Sequence, residues 1–122
     1  KPGLLMIDID GKESHLIELP LGNAEWMGSG VLLAACDVVD TKFRGTWRIE
    51  AGKEPVRITN EPYLYSRDGT ASVAAIRDSG LTLFATKSGV FQLKLGETEA
   101  SLLTSTGGSA VQFLVPSKLS RN

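Results

Sequence analysis

Cysteine is almost missing from this chain of 122 residues, since Cys36 stands alone. No internal disulfide can form, so no oxidising compartment is implied and none is excluded. Histidine is equally scarce. His15 is the only one and has no cysteine or histidine at ligand spacing, which argues against a zinc site and for a surface or rim side chain. No apolar run approaches the roughly 18 residues of a membrane helix, the longest being residues 31–36, so neither membrane insertion nor insolubility is expected. Charge of one sign is also missing as a cluster: 13 Lys and Arg are scattered among 14 Asp and Glu, for a net charge of -1. The positive stripe of a nucleic-acid binder is therefore not there. Lys1-Pro2-Gly3 leads straight into a strand-like segment without a basic, apolar leader, and the lack of an initiator methionine reads as a processed, trimmed or excised chain.

What is present is ordinary for a globular domain: 42% hydrophobic and 22% charged residues, too apolar for disorder. The length suits a single domain or part of one. Short apolar or alternating runs separated by turn residues fill it. Residues 4–9 end at Asp10-Gly11, a favoured hairpin turn pair, and residues 15–19 alternate before Pro20 stops them. Residues 31–36 are apolar on both faces, as a fully buried strand would be. Further strands are expected over 46–51, 55–59, 71–76, 81–86, 90–95, 100–104 and 110–115, with turns at Ser66-Arg67-Asp68-Gly69 and Arg77-Asp78-Ser79-Gly80. No segment carries a sustained helical period with caps at both ends.

The runs repeat. Gly3, Gly45 and Gly89 recur at spacings of 42 and 44 residues, and Leu5, Trp47 and Phe91, like Ile7, Ile49 and Leu93, share that register. Each copy closes on a glycine, at Gly11, Gly52 and Gly96. Ser29-Gly30 with residues 31–36 likewise matches Ser79-Gly80 with residues 81–86. A period in the forties built from four short strands is the spacing of a β-propeller blade, in which one sheet cannot cover its own apolar faces and stacks on its neighbours. The expected fold is therefore all-β, one domain or propeller fragment over 1–122, holding about two and a half four-stranded antiparallel blades that start near 3, 45 and 89. The alternative is a β-sandwich or half-open barrel with an inherited duplication. Phe91 and Leu93 are expected to face a neighbouring blade, Gln92 and Lys94 the other side, and the glycines of the copy to mark turns.

Residues 61–76, from Glu61-Pro62-Tyr63-Leu64-Tyr65 through Ser66-Arg67-Asp68-Gly69 into an apolar strand, resemble the proline-aspartate-glycine turn and strand of TolB-like WD40 repeats and of prolyl-oligopeptidase-type propellers, with Arg67 where that turn has proline. Residues 83–91 are similar to the strand-glycine-aromatic hairpin of sialidase-like repeats, without their aspartate. The resemblance implies a propeller-type superfamily and no particular ligand.

Residues that could carry chemistry are few. Cys36 ends an apolar run and reads as a small buried side chain. Asp8, Asp10, Asp37, Asp40 and Asp68 stand at turns or strand ends, where aspartate serves local hydrogen bonds. Gly28-Ser29-Gly30 lacks the lysine and helix of a phosphate-cradling loop, and no Gly-x-Ser-x-Gly elbow is present. Trp26, Trp47 and Phe91 are expected to pack between blades. No catalytic, metal or cofactor residue is nominated. The expected function is a non-catalytic scaffold that binds a protein partner, or further copies or blades of its own protein, with oligomers expected from open strand edges. The alternative is the propeller part of a larger hydrolase or peptidase whose catalytic residues lie outside this chain.

Overall fold

The computed structural model describes residues 4–7, 14–28, 30–50, 52–76 and 78–105. They form ten strands: β1 (Leu4–Ile7), β2 (Ser14–Ile17), β3 (Asn23–Gly28), β4 (Val31–Cys36), β5 (Gly45–Glu50), β6 (Val56–Thr59), β7 (Val73–Ile76), β8 (Leu81–Ala85), β9 (Gly89–Lys94) and β10 (Ser101–Ser105). Among the described residues there is no helix, hence none long and apolar enough to cross a membrane. β1 and β2 pair as an antiparallel hairpin, with the expected Asp10-Gly11 turn outside the described residues. The other strands make two four-stranded antiparallel meanders, sheet I in the order β3-β4-β5-β6 and sheet II in the order β7-β8-β9-β10. Residues 110–115 lie outside the described residues. No strand pairing joins the two sheets, so the described residues close no barrel.

The repeat read from the sequence is a repeat of pairing. Val31 stands opposite Glu50 in sheet I, and Leu81 opposite Lys94 in sheet II. The second and third strands of each sheet therefore share one register. The loop between them shrinks from residues 37–44 to residues 86–88. The turns entering β4 and β8 agree as well, with Gly30 at φ 74° and Gly80 at φ 72°. Only glycine takes that left-handed backbone without a Cβ penalty.

Each sheet has two faces that differ in the same way. In sheet I the front face carries Leu32, Ala34, Cys36 and Ile49, packed with Leu19, Leu21 and Trp47. The back face carries Met27, Val31, Leu33 and Ala35, which pack against Phe84, Leu93, Val73 and Phe91 of sheet II and against Tyr63 of the connector between the sheets. Trp47 and Ile49 are thus the front-face counterparts of Phe91 and Leu93, so sheet II sets its front on the back of sheet I. The first strands, β3 and β7, also touch. All six residues of β4 are buried, as the two-sided apolar run requires.

Among the described residues, a charged side chain spans this interface. Arg48, on the back face, reaches Glu50 Oε1 at 3.0 Å and the Leu95 carbonyl at 3.4 Å. Its Nε is buried without a partner.

Two expectations change. Gly89 does not mark a turn: it is the first residue of β9, and a Cβ there would collide with the Thr104 carbonyl oxygen of β10. Gly45 opens β5 under the same constraint from the Thr59 carbonyl of β6. Both glycines therefore admit a close backbone neighbour. Trp26 does not pack between sheets either and is 62% exposed. A bulge in β3 between Trp26 and Gly28 ends the regular alternation there, and it is Met27 that enters the core.

Candidate functional site

Among the described residues, a dense set of side-chain hydrogen bonds gathers at one end of the two sheets. The β4–β5 loop, the connector 60–72 and the β8–β9 hairpin meet there. The β4–β5 loop is the longest connection within either four-stranded sheet and is pinned by several hydrogen bonds. The Asp40 carbonyl accepts from the Phe43 and Arg44 amides, while Asp40 Oδ1 accepts from the Lys42 amide at 3.0 Å. Arg44 Nη1 donates to Asp37 Oδ1 at 2.9 Å and to the Val38 carbonyl. From the neighbouring strand, Arg57 Nη1 donates to the carbonyls of Thr41 and Arg44 and lies over the Trp47 ring. Trp47 Nε1 in turn donates to the Phe43 carbonyl at 2.8 Å. At the tip of this braced loop Val39 is 93% exposed. An apolar side chain held outward by an ordered backbone loses little entropy on docking.

The connector ties the sheets together through Glu61 and Tyr63. Thr46 Oγ1 and Thr59 Oγ1, both from sheet I, donate to the Glu61 carbonyl at 2.7 Å each. The Glu61 carboxylate faces sheet II, where hydrogen bonds from Ser88 foremost, then from Thr86, with help from the Arg44 charge, hold its pKa below the usual value against the opposing effect of burial. Tyr63 is buried, with its hydroxyl 2.6 Å from Asn23 Oδ1 and 3.2 Å from the Leu33 carbonyl. Burial first, and then the Glu25 charge, push that phenol well above its ordinary pKa. Tyr65 crosses back toward sheet I, and its hydroxyl occupies the space a Cβ on Gly22 would need.

Between these elements lies a cleft of about 120 Å3, lined among others by Asp37, Arg44, Glu61, Tyr63, Tyr65 and Lys87. Small-molecule sites usually hold about 300–1,000 Å3. The cleft is below that range, and its charges balance, so the geometry suits a surface contact better than an enclosed metabolite.

Among the described residues, those weighed for chemistry form no catalytic or metal-binding group. His15 lies in β2 opposite Met6, in a hairpin that shares no strand pairing with the sheet that holds Cys36. Burial pushes the Cys36 thiol up to about 11, which leaves it un-ionised at neutral pH. Asp37 is engaged by Arg44 and Asp40 by its own loop. Asp68 closes the 66–70 turn by accepting from the Thr70 amide and the Ser66 hydroxyl, which hold its pKa down to about 2. Asp8 and Asp10 lie outside the described residues. Among the described residues no three His, Cys, Asp or Glu side chains gather around one point. The bracing role of Arg57, Glu61 and Tyr63 was missed by sequence reasoning, because apart from the local Thr59–Glu61 bond their partners lie 13 to 40 residues away and carry no local motif.

Comparison of the chain with protein-family models, curated proteins and solved structures found no match to any of them.

Two expected results follow from the site. Native protein at pH 8 should not react with a thiol reagent at Cys36 and should react stoichiometrically once unfolded; rapid native labelling would contradict both the burial and the raised pKa. The second concerns acid. Unfolded Glu61 titrates near its ordinary 4.5 and the folded carboxylate lower. Its bonds to the β8–β9 hairpin therefore stabilise fully above that value and are lost as the pH falls through the folded pKa. Glu61→Gln should flatten the fall in Tm as the pH drops below 4.5, and parallel Tm profiles for the two proteins would refute the assignment.

Proposed function

We propose that sheets I and II are successive blades of a β-propeller-type scaffold that binds a macromolecular partner through the braced loop end and performs no chemistry of its own. The observation that carries this reading is the stacking. Two sheets of equivalent pairing pack front to back with their first strands in contact, a heterologous arrangement that turns about an axis when repeated and can close into a ring. A two-layer sandwich would leave the outer face of each sheet to solvent. In sheet I both faces of β4 are buried instead, which favours stacked blades.

The loop end supplies the contact surface of this reading. Val39 stands on a loop fixed by Arg57, Arg44 and Asp40, and the small, charge-balanced cleft beside it suits the side chain of a protein partner. Electron microscopy of the polypeptide, alone and with the longer protein or the copies that complete it, is expected to give a disc with a central channel. A compact two-layer monomer would overturn the blade reading. A hydrolytic or metal-dependent activity intrinsic to this chain would overturn the scaffold reading.

A further inference from the structure

Each four-stranded sheet ends in two edge strands, whose outer N–H and C=O groups are a template on which another strand can pair. Three of these four edges are guarded. β3 carries Glu25 and β6 carries Arg57, and a charge on an edge strand discourages a second chain from pairing there. β7 is uncharged but lies against β3. β10 is the exception: Ser101-Leu102-Leu103-Thr104-Ser105 has neither charge nor proline, and all five residues are exposed. Among the described residues no strand pairs with its outer edge.

The equivalence of the two sheets shows what β10 lacks. Trp47 stands opposite Arg57 in sheet I, and its counterpart Phe91 stands opposite Leu102 in sheet II. Leu102 thus takes the place of the guarding arginine. It is 56% exposed, and Leu103 beside it is 51% exposed. The register slips once in β3, β6 and β10 alike, so a bulge does not set β10 apart. The missing charge does.

An uncharged edge of leucine, serine and threonine is matched in this chain by itself. Laid antiparallel on a second copy about a two-fold axis at Leu102 and Leu103, β10 meets the same apolar and hydroxyl side chains that it presents. The nearest charge, Glu99, then stands seven positions along the strand direction from its counterpart, or roughly 24 Å. That is beyond the screening length of about 10 Å, so the two carboxylates do not oppose pairing. Pairing β10 with β3 or β6 of another copy would instead set leucine against Glu25 or Arg57. Because the other edges are guarded, the two-fold contact consumes the open one and stops at two copies.

We propose that the outer edge of β10 is a homodimer interface, at which two copies join their second sheets antiparallel about Leu102 and Leu103 into one eight-stranded sheet. The proposal rests on sheet II alone. It depends neither on the blade reading nor on the loop-end contact, and its failure leaves both standing. Five residues a side are fewer than the roughly 20–30 of a stable interface, so the dimer is weak and forms with rising concentration.

Sedimentation equilibrium of the full chain tests it. The mass should climb from one copy toward two as the concentration approaches about 1 mM. A constant single-copy mass, or growth beyond two copies, overturns the proposal. Leu102→Arg gives β10 the charge that β6 has in Arg57 and should hold the chain as a folded monomer with an unchanged circular dichroism spectrum. Val39→Arg, at an exposed apolar side chain of the loop end, should dimerise like the parent. A Leu102→Arg protein that still dimerises, or a Val39→Arg protein that does not, places the contact elsewhere and overturns the proposal. Single cysteines at positions 101 to 105, oxidised with copper phenanthroline, decide it even where Leu102→Arg fails to fold. Opposed residues of an antiparallel pair have Cα atoms about 4.5–5.5 Å apart, within the span of a disulfide, and a two-fold axis sets only the residues near it against themselves. Intermolecular disulfides should form fastest from Leu102→Cys or Leu103→Cys and many-fold slower from Ser105→Cys, while the buried Cys36 does not compete. Equal rates along the strand overturn the proposal.

Discussion

Gly45→Ala is expected to be among the most damaging single-methyl additions available in this protein. A Cβ there meets the Thr59 carbonyl oxygen inside van der Waals contact and comes within 2.9 Å of Arg57 Cδ. The backbone sits at φ 147°, which an L-residue rarely adopts. Overpacking costs about 1–3 kcal/mol and an unfavourable backbone conformation about as much again. The sum is a large share of the roughly 5–15 kcal/mol that holds a domain folded. At Gly89 the φ is not in that region, so only the clash with Thr104 O applies, with a loss of about 1–3 kcal/mol. Gly96 has nothing within 4 Å of a Cβ, and Gly96→Ala should stay within about 0.5 kcal/mol of the parent. Urea unfolding of the three variants checks the order. If Gly45→Ala and Gly89→Ala unfold at the parent's midpoint, the fourth strand of each sheet does not approach its third as described.

A second pair of substitutions separates stacked sheets from a two-layer sandwich. Ala34 and Ala35 are adjacent in β4 and both 0% exposed, yet they face opposite ways: Ala34 into the front core with Leu32, Cys36 and Ile49, and Ala35 into the back core with Val31 and Leu33. An aspartate at either place buries an unpaired carboxylate. It must be protonated or drag water inward, at a cost of several kcal/mol. Both Ala34→Asp and Ala35→Asp should therefore abolish soluble, cooperatively folding protein, as read by yield and circular dichroism. In a sandwich one of the two would be a surface change and well tolerated. Leu103→Asp, on the exposed β10, serves as the tolerated control.

The glycines and the tryptophans show where reading the residues stopped short. The equivalence of Gly45 and Gly89 was visible as a spacing, and it holds in the pairing. Its cause was not visible, because the carbonyl that excludes a side chain belongs to the next strand, 14 residues on from Gly45 and 15 from Gly89. Trp26 was expected to pack like Trp47, since both are aromatics in strands. The bulge that turns Met27 inward instead arises from the β3–β4 pairing, and composition does not announce it. The bracing of the β4–β5 loop by Arg57, and of the connector by Thr46, also depends on partners brought close only by the fold.

The sequence by itself determined that the described residues are all-β, where most of their strands lie, that residues 31–36 are buried on both sides, and that Phe91 and Leu93 share a face. Those properties are local: alternation, apolar runs and glycine-bounded turns act within a few residues, and repetition copies them. Only the tertiary structure decided that the front of sheet II sits on the back of sheet I, that Trp26 is left outside, and that Arg57, Glu61 and Tyr63 converge at one end. Packing between sheets is non-directional at the level of sequence, since any apolar face can cover any other. The choice falls to shape, close carbonyls and the few polar bonds that must be satisfied across the interface.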